Sequence, residues 1–130
     1  MKVAFATTDG ERVDEHFGRA GKFTIYEFTK DGFTSLGERV FSDEGRDTAV
    51  ESTKGLGAEH DAAIESKIDK ISDCSIVYIT NIGGPSAARL GRRGIMPVKV
   101  AEGTQIEMSV EALMRTIKDS PAPWLRKLLG

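Results

Sequence analysis

His16 is the residue in this chain best suited to metal chemistry. It stands in the segment Val13-Asp14-Glu15-His16-Phe17-Gly18-Arg19, and a neutral imidazole is a good ligand for soft and borderline metals. Asp14, two positions earlier, can orient the ring or select the nitrogen that carries the proton. Gly18 and Gly21 let a bulky ligand come close to the backbone. The competing reading is a solvent-facing histidine in a polar loop, because nearness in sequence does not by itself make a supporting partner.

A second candidate is Ile82-Gly83-Gly84-Pro85-Ser86-Ala87-Ala88-Arg89. Glycines between an apolar strand and a helix start leave backbone N–H groups pointing outward, where the helix dipole favours an anion. Ser86 and Arg89 add donors. The plain alternative is a compact strand-to-helix turn. Neither GxxxxGK[ST] nor GxGxxG occurs, so nucleotide binding is not signalled. Cys74, the single cysteine, opens an apolar run and reads as a buried structural thiol. His60 reads as a helix-edge packing residue.

The totals narrow the classes. The chain has 130 residues, is 39% hydrophobic and 29% charged, and carries a formal charge of −2. This is the size and balance of one globular domain over residues 1–130, and it lacks the basic excess of a general nucleic-acid binder. One cysteine allows no internal disulfide and no all-cysteine cluster site within the chain. No secretory signal and no apolar run near the ~20 residues of a membrane helix is seen, so the expectation is a soluble, cytoplasmic protein without a membrane partner.

The elements that must position these residues follow from pattern. Lys2 to Thr8 is strand-like and ends at the turn signal Asp9-Gly10, and residues 9–21 read as a long loop. Lys22 to Phe28 and Phe33 to Phe41, joined at Lys30-Asp31-Gly32, complete an antiparallel meander. Residues 42–57 show no period and read as a second loop. Ile64, Ile68 and Ile71 recur at helical spacing within 58–71. Ser75 to Ile82 reads as a central parallel strand buried on both faces. Pro85 suits a helix start through about Arg92. Ile95 to Val100 is a short strand placed near a sheet edge by Pro97. Thr104 and Glu107 form a capping-box pattern for a last helix whose buried face is Ile106, Val110, Leu113, Met114 and Ile117. Residues 121–130 form a tail, extended and then briefly helical.

The expected architecture is therefore α/β, a mixed five-stranded sheet with three antiparallel strands, two parallel ones and flanking helices. If the first and fourth strands are parallel neighbours, the His16 loop and the Gly83-Gly84 turn leave the same sheet end and flank one crevice.

These residues also carry a family pattern. Asp14-x-His16-Phe17-Gly18 followed by Phe23-x-Ile25-Tyr26 resembles the dinitrogenase iron-molybdenum cofactor-binding family, the NifX/NafY family. Asp73-Cys74 leading into Ile82-Gly83-Gly84-Pro85-x-Ala87-Ala88-Arg89 is similar to its second signature, and Gly94-Ile95-x-Pro97-x-Lys99-Val100 continues the match. The tail Pro123-Trp124-Leu125-Arg126-Lys127 looks like the NifX branch. The resemblance implies a ribonuclease H-like fold and a non-enzymatic role in nitrogenase cofactor biosynthesis. Its cargo would be an iron-sulfur precursor of the iron-molybdenum cofactor, exchanged with NifB, a scaffold or other nitrogenase assembly proteins. It implies His16 as the metal ligand, and the reading of the two loops adds Asp14, Phe17, Gly18, Arg19, Gly83, Gly84, Ser86 and Arg89 as the residues expected around the cofactor.

Arg12, Arg19, Arg89, Arg92 and Arg93 are available to balance an anionic cluster. One rival is a cluster-binding or interaction module of the same family outside nitrogen fixation. Another is a metal-dependent nuclease on a ribonuclease H-like sheet, which needs clustered carboxylates for two Mg²⁺ ions. The interior of Val3-Ala4-Phe5-Ala6-Thr7 and the run Ile76 to Ile82 hold none.

Overall fold

The structure, a computed structural model, describes residues 1–40, 57–119 and 121–129, with the side chains of 57–63 also outside the description. The loop read at 42–57 and the packing role of His60 lie outside the described residues. Strand β1 (Lys2–Ala6) is followed by a two-residue strand β2 (Arg12–Val13) and a 3₁₀ turn (Phe17–Arg19). Then come β3 (Lys22–Thr29), β4 (Gly32–Val40), helix α1 (Gly57–Lys70), β5 (Cys74–Ile79) and α2 (Gly84–Arg92). The chain continues through β6 (Met96–Lys99), β7 (Thr104–Gln105), α3 (Ile106–Asp119) and α4 (Pro123–Leu129).

Five strands form one mixed sheet in the order β4-β3-β1-β5-β6. β3 runs antiparallel to β1 and β4, whereas β5 is parallel to β1 and to β6. The expected meander and the expected parallel pairing of β1 with β5 are both present, and β6 is the edge strand that Pro97 indicated. The centre of the sheet is β1, with β5 beside it.

Alternation along the strands divides the core in two, as a period of two requires. Ala4, Ala6, Phe23, Ile25, Val77 and Ile79 pack with Ile64, Ile68, Ile71 and Leu90 of the α1–α2 side. Val3, Phe5, Phe28 and Ile76 pack with Ile106, Val110, Met114, Ile117 and Leu125 of the α3–α4 side. Both helical layers are needed to bury a sheet that is apolar on both faces.

Three local expectations are corrected. Residues 9–21 are not unstructured: Arg12–Val13 pairs with Thr104–Gln105 in a two-stranded ribbon. That pairing also removes the capping box, because Thr104 is extended and its hydroxyl donates to Ala101 O at 2.6 Å. Helix α3 starts at Ile106, whose amide donates to Glu11 O at 2.9 Å. Finally, β5 stops at Ile79 and does not run to Ile82. The polar pair Thr80-Asn81 is where the strand gives way to the site.

Candidate functional site

The chain leaves β1 at Ala6, makes an excursion and returns to the same line. The excursion is held at its neck by Asp14 N donating to Ala6 O at 3.3 Å. Its tip is the Asp9-Gly10 turn, where Gly10 has φ +79° and a Cβ would lie 2.9 Å from Glu38 Oε2. Asp9 Oδ1 accepts from the amides of Glu11 and Arg12 at 2.8 and 2.9 Å, and these bonds hold its carboxyl below the usual range.

After the excursion, residues 15–17 lie against the end of β5. Thr80 N donates to Glu15 O at 3.0 Å and Phe17 N donates to Asn81 O at 2.9 Å. His16 and Asn81 form an isolated parallel bridge. His16 thus occupies a place beside β5 that a longer β1 would have filled. Its backbone is fixed while its side chain stays exposed.

The neighbours of His16 divide into those that hold it and those free to meet a ligand. Phe17 is completely buried, 6.2 Å from the Phe23 ring centroid, and belongs to the core. Its side chain anchors the loop in the core and is not presented to the surface. Asp14 faces Thr8. Its two carboxylate oxygens accept from Thr8 N at 2.9 Å and Thr8 Oγ1 at 2.5 Å, so it braces the loop and does not orient the imidazole. Gly18 is exposed, with open space where a Cβ would stand. Arg19 is exposed and makes no ion pair among the described residues.

A residue not anticipated from sequence completes the support. Lys67 of α1 is only 7% exposed, and its ammonium donates to Gly18 O at 2.6 Å and Phe17 O at 3.1 Å. It also stands 6.0 Å from the Phe17 ring centroid. The two carbonyls belong to the 3₁₀ turn; Phe17 O also accepts from Ala20 N at 3.3 Å, so the buried cation adds a second donor there and serves Gly18 O. A lysine among Ile64, Ile68 and Ile71 was the available signal, since a charge so close to an apolar stripe needs a partner.

The glycine turn leaves the same end of β5. Gly83 occupies the N-cap position of α2 and offers no side chain to the first-turn amides. Neither Gly83 nor Gly84 has a Cβ-blocking neighbour closer than 3.9 Å. Ser86 is half-buried in the first turn. Arg89 reaches Glu65 at 3.9 Å, and Arg93 reaches Glu65 at 3.4 Å and Asp69 at 2.8 Å, so these two guanidinium groups face α1 acids.

The cavity beside His16 opens in another direction from the one expected. It has a volume of about 480 Å³, is open to solvent, and is lined by His16, Thr80, Asn81 and the segment 99–102. The glycine turn does not line it. The His16 loop and the turn do share one end of the sheet, but the wall facing His16 is the strand that follows α2. Thr80 Oγ1 is buried without a hydrogen-bond partner among the described residues, as is Thr24 Oγ1 of β3, a state that costs on the order of 1–3 kcal/mol.

Among the described residues, no three His, Cys, Asp or Glu side chains converge as a metal cage. The described chain therefore offers an incomplete ligand set: one imidazole, backbone amides and cations. The clustered carboxylates of two-metal phosphodiester cleavage are not assembled among these residues either. No described helix is long and apolar enough to cross a membrane.

The chain is 35% identical to the protein NifX of Herbaspirillum seropedicae over 99% of its own length and 82% of that protein's. It is 36% identical to the FeMo cofactor biosynthesis protein NifB of the same organism, over 86% of this chain and 20% of NifB. The crystal structure of PH0822 superposes with a TM-score of 0.59 at 20% identity, covering 88% of this chain and 91% of that one. Residues 1–116 match the family described as Dinitrogenase iron-molybdenum cofactor, and the chain belongs to that family.

Proposed function

We propose that this chain binds an iron-sulfur precursor of the nitrogenase iron-molybdenum cofactor and passes it on during cofactor biosynthesis, as a carrier and not as an enzyme. The observation that carries this reading is an exposed imidazole on a backbone pinned to the end of β5, beside an open cavity of about 480 Å³. His16 is the metal ligand. The amides at Gly83 and Gly84, with Ser86, Arg19 and Arg89, contribute hydrogen bonds and positive charge. Asp14, Phe17 and Gly18 hold the loop in place.

An incomplete ligand set suits a carrier. A cluster bound by one imidazole and a few donors keeps open coordination positions, through which a recipient can draw it away. The sheet order, with β3 as its reversed strand, supports a ribonuclease H-like description of the fold. The likeness to a fifth of NifB supports NifB, a scaffold or other nitrogenase assembly proteins as exchange partners of a single cytoplasmic domain.

The test is anaerobic mixing with the cluster product of NifB, then gel filtration with iron and visible-absorbance analysis. Iron should co-elute with the chain. His16→Ala should lower retained iron by at least the ~10–100-fold that loss of a mere supporting partner costs a metal site. Its stability should stay within ~0.5 kcal/mol, because the side chain is exposed. Undiminished retention by that variant removes His16 from the ligand set, and a wild-type chain that retains no iron overturns the reading.

A further inference from the structure

We propose that Lys99, which lines the same cavity as His16, is a second contact point that receives an anionic group of the same ligand whose metal His16 binds. This rests on the carrier reading and adds what selects the cargo.

Lys99 is fixed by the sheet. It ends β6, opposite Ile79 of β5, and the following amide of Val100 donates to Ile79 O at 2.9 Å. Its side chain is exposed at the cavity and forms no ion pair among the described residues, although Glu102 lines the same cavity. Several other cations of the molecule are paired, Arg12 with Asp9, Lys22 with Glu38, Arg39 with Asp73 and Arg93 with Asp69, whereas Lys99 shares its unpaired state among the described residues with Arg19 but, unlike Arg19, lines the His16 cavity. The second observation is that His16 and Lys99 line one and the same open cavity, so a ligand held there by the imidazole borders on the lysine.

The chemistry of the pair defines the ligand class. An imidazole alone takes any borderline divalent metal ion. An ammonium across the cavity repels a bare cation and attracts a cluster bearing anionic sulfur or carboxylate groups. Lys99 is thus a specificity-determining residue, favouring an anionic metal cluster over the free metal ion.

The experiment compares wild-type protein with Lys99→Ala, Lys99→Glu and Lys99→Arg against two probes under anaerobic conditions. One is a synthetic anionic four-iron, four-sulfur cluster carrying thiolate ligands, and the other is Co²⁺ alone. Lys99→Ala should weaken cluster binding about tenfold, Lys99→Glu more, and Lys99→Arg should restore it. Co²⁺ binding should hold or rise in the Ala and Glu variants. A merely structural role would lower both probes together, and that result overturns the subsite. Cluster binding by Lys99→Glu equal to wild type overturns it as well, while wild-type binding leaves the carrier reading standing. Failure of the wild-type protein to bind the synthetic cluster overturns the subsite, whereas the carrier reading falls only if the chain also retains no iron from the NifB product.

Discussion

At the start of β5, Asp73 receives two bonds from Arg39, at 2.6 and 2.9 Å, and Lys2 lies 3.6 Å away. Cys74 beside it is 3% exposed, and its thiol is pushed up to about 12, first by burial and then by the Asp73 charge. At the far end of the same strand, Thr80 Oγ1 has no partner, His16 is exposed, and Lys99 faces a cavity without a counter-ion among the described residues. Only six residues of strand separate these environments. Polar groups that hold a fold are satisfied by the chain itself, whereas groups that meet a ligand are left open and their backbone is held instead. This contrast between the two ends of β5 is what the proposed carrier reading predicts.

Changes at the far end test the contrast most severely. Lys67→Met removes the ammonium from Gly18 O and leaves Phe17 O with the Ala20 amide alone, and should cost on the order of 1–3 kcal/mol, read by denaturant unfolding. The surviving folded protein should hold cluster less well than wild type, because the His16 loop loses its clamp. Retained cluster affinity in that variant would mean that the β5 pairing alone positions His16.

Gly84→Leu comes next. The space around Gly84 is open, so stability should change little, while cluster binding should fall about tenfold if the first-turn amides of α2 meet the ligand. Unchanged binding would make the turn purely architectural.

At the start of β5, effects should be confined to stability. The Arg39 guanidinium holds the Asp73 carboxyl at about 2, so the pair's contribution is present above the ordinary carboxylate range near ~4 and disappears as pH falls towards 2. Asp73→Asn should cost less than ~1 kcal/mol at neutral pH, since the carboxylate is 43% exposed and screened. The difference from wild type should vanish in acid, and cluster binding should be untouched. A loss of binding would show that the two ends are coupled through β5.

The smallest effect is expected at Cys74. A buried thiol with so high a pKa should resist alkylation at pH 8 in the folded protein and react only on unfolding. Rapid labelling of folded protein, or protection by bound cluster, would place this thiol in the working part of the molecule.

Much of this was legible in local pattern. The isoleucine spacing of α1, the Gly-Gly-Pro break before α2, the Asp9-Gly10 turn and the uninterrupted apolar run of β5 each report short-range backbone preference or burial, and the structure has them all. The parallel pairing of β1 with β5 followed from the order of elements. His16 was visible because a histidine between glycines in a polar loop has few structural duties.

What tertiary structure decided concerns partners distant in sequence. Lys67 reaches Gly18 from 49 residues away. Thr104 gives up a capping box because Val13 pairs with it across a ribbon. Asp14 turns to Thr8 and not to His16, and the wall facing His16 comes from 99–102 instead of 83–84. Residue identity reveals what a side chain can bond to. Which candidate it meets depends on how the sheet and its two helical layers close around the core, a choice made by packing energy over the whole chain.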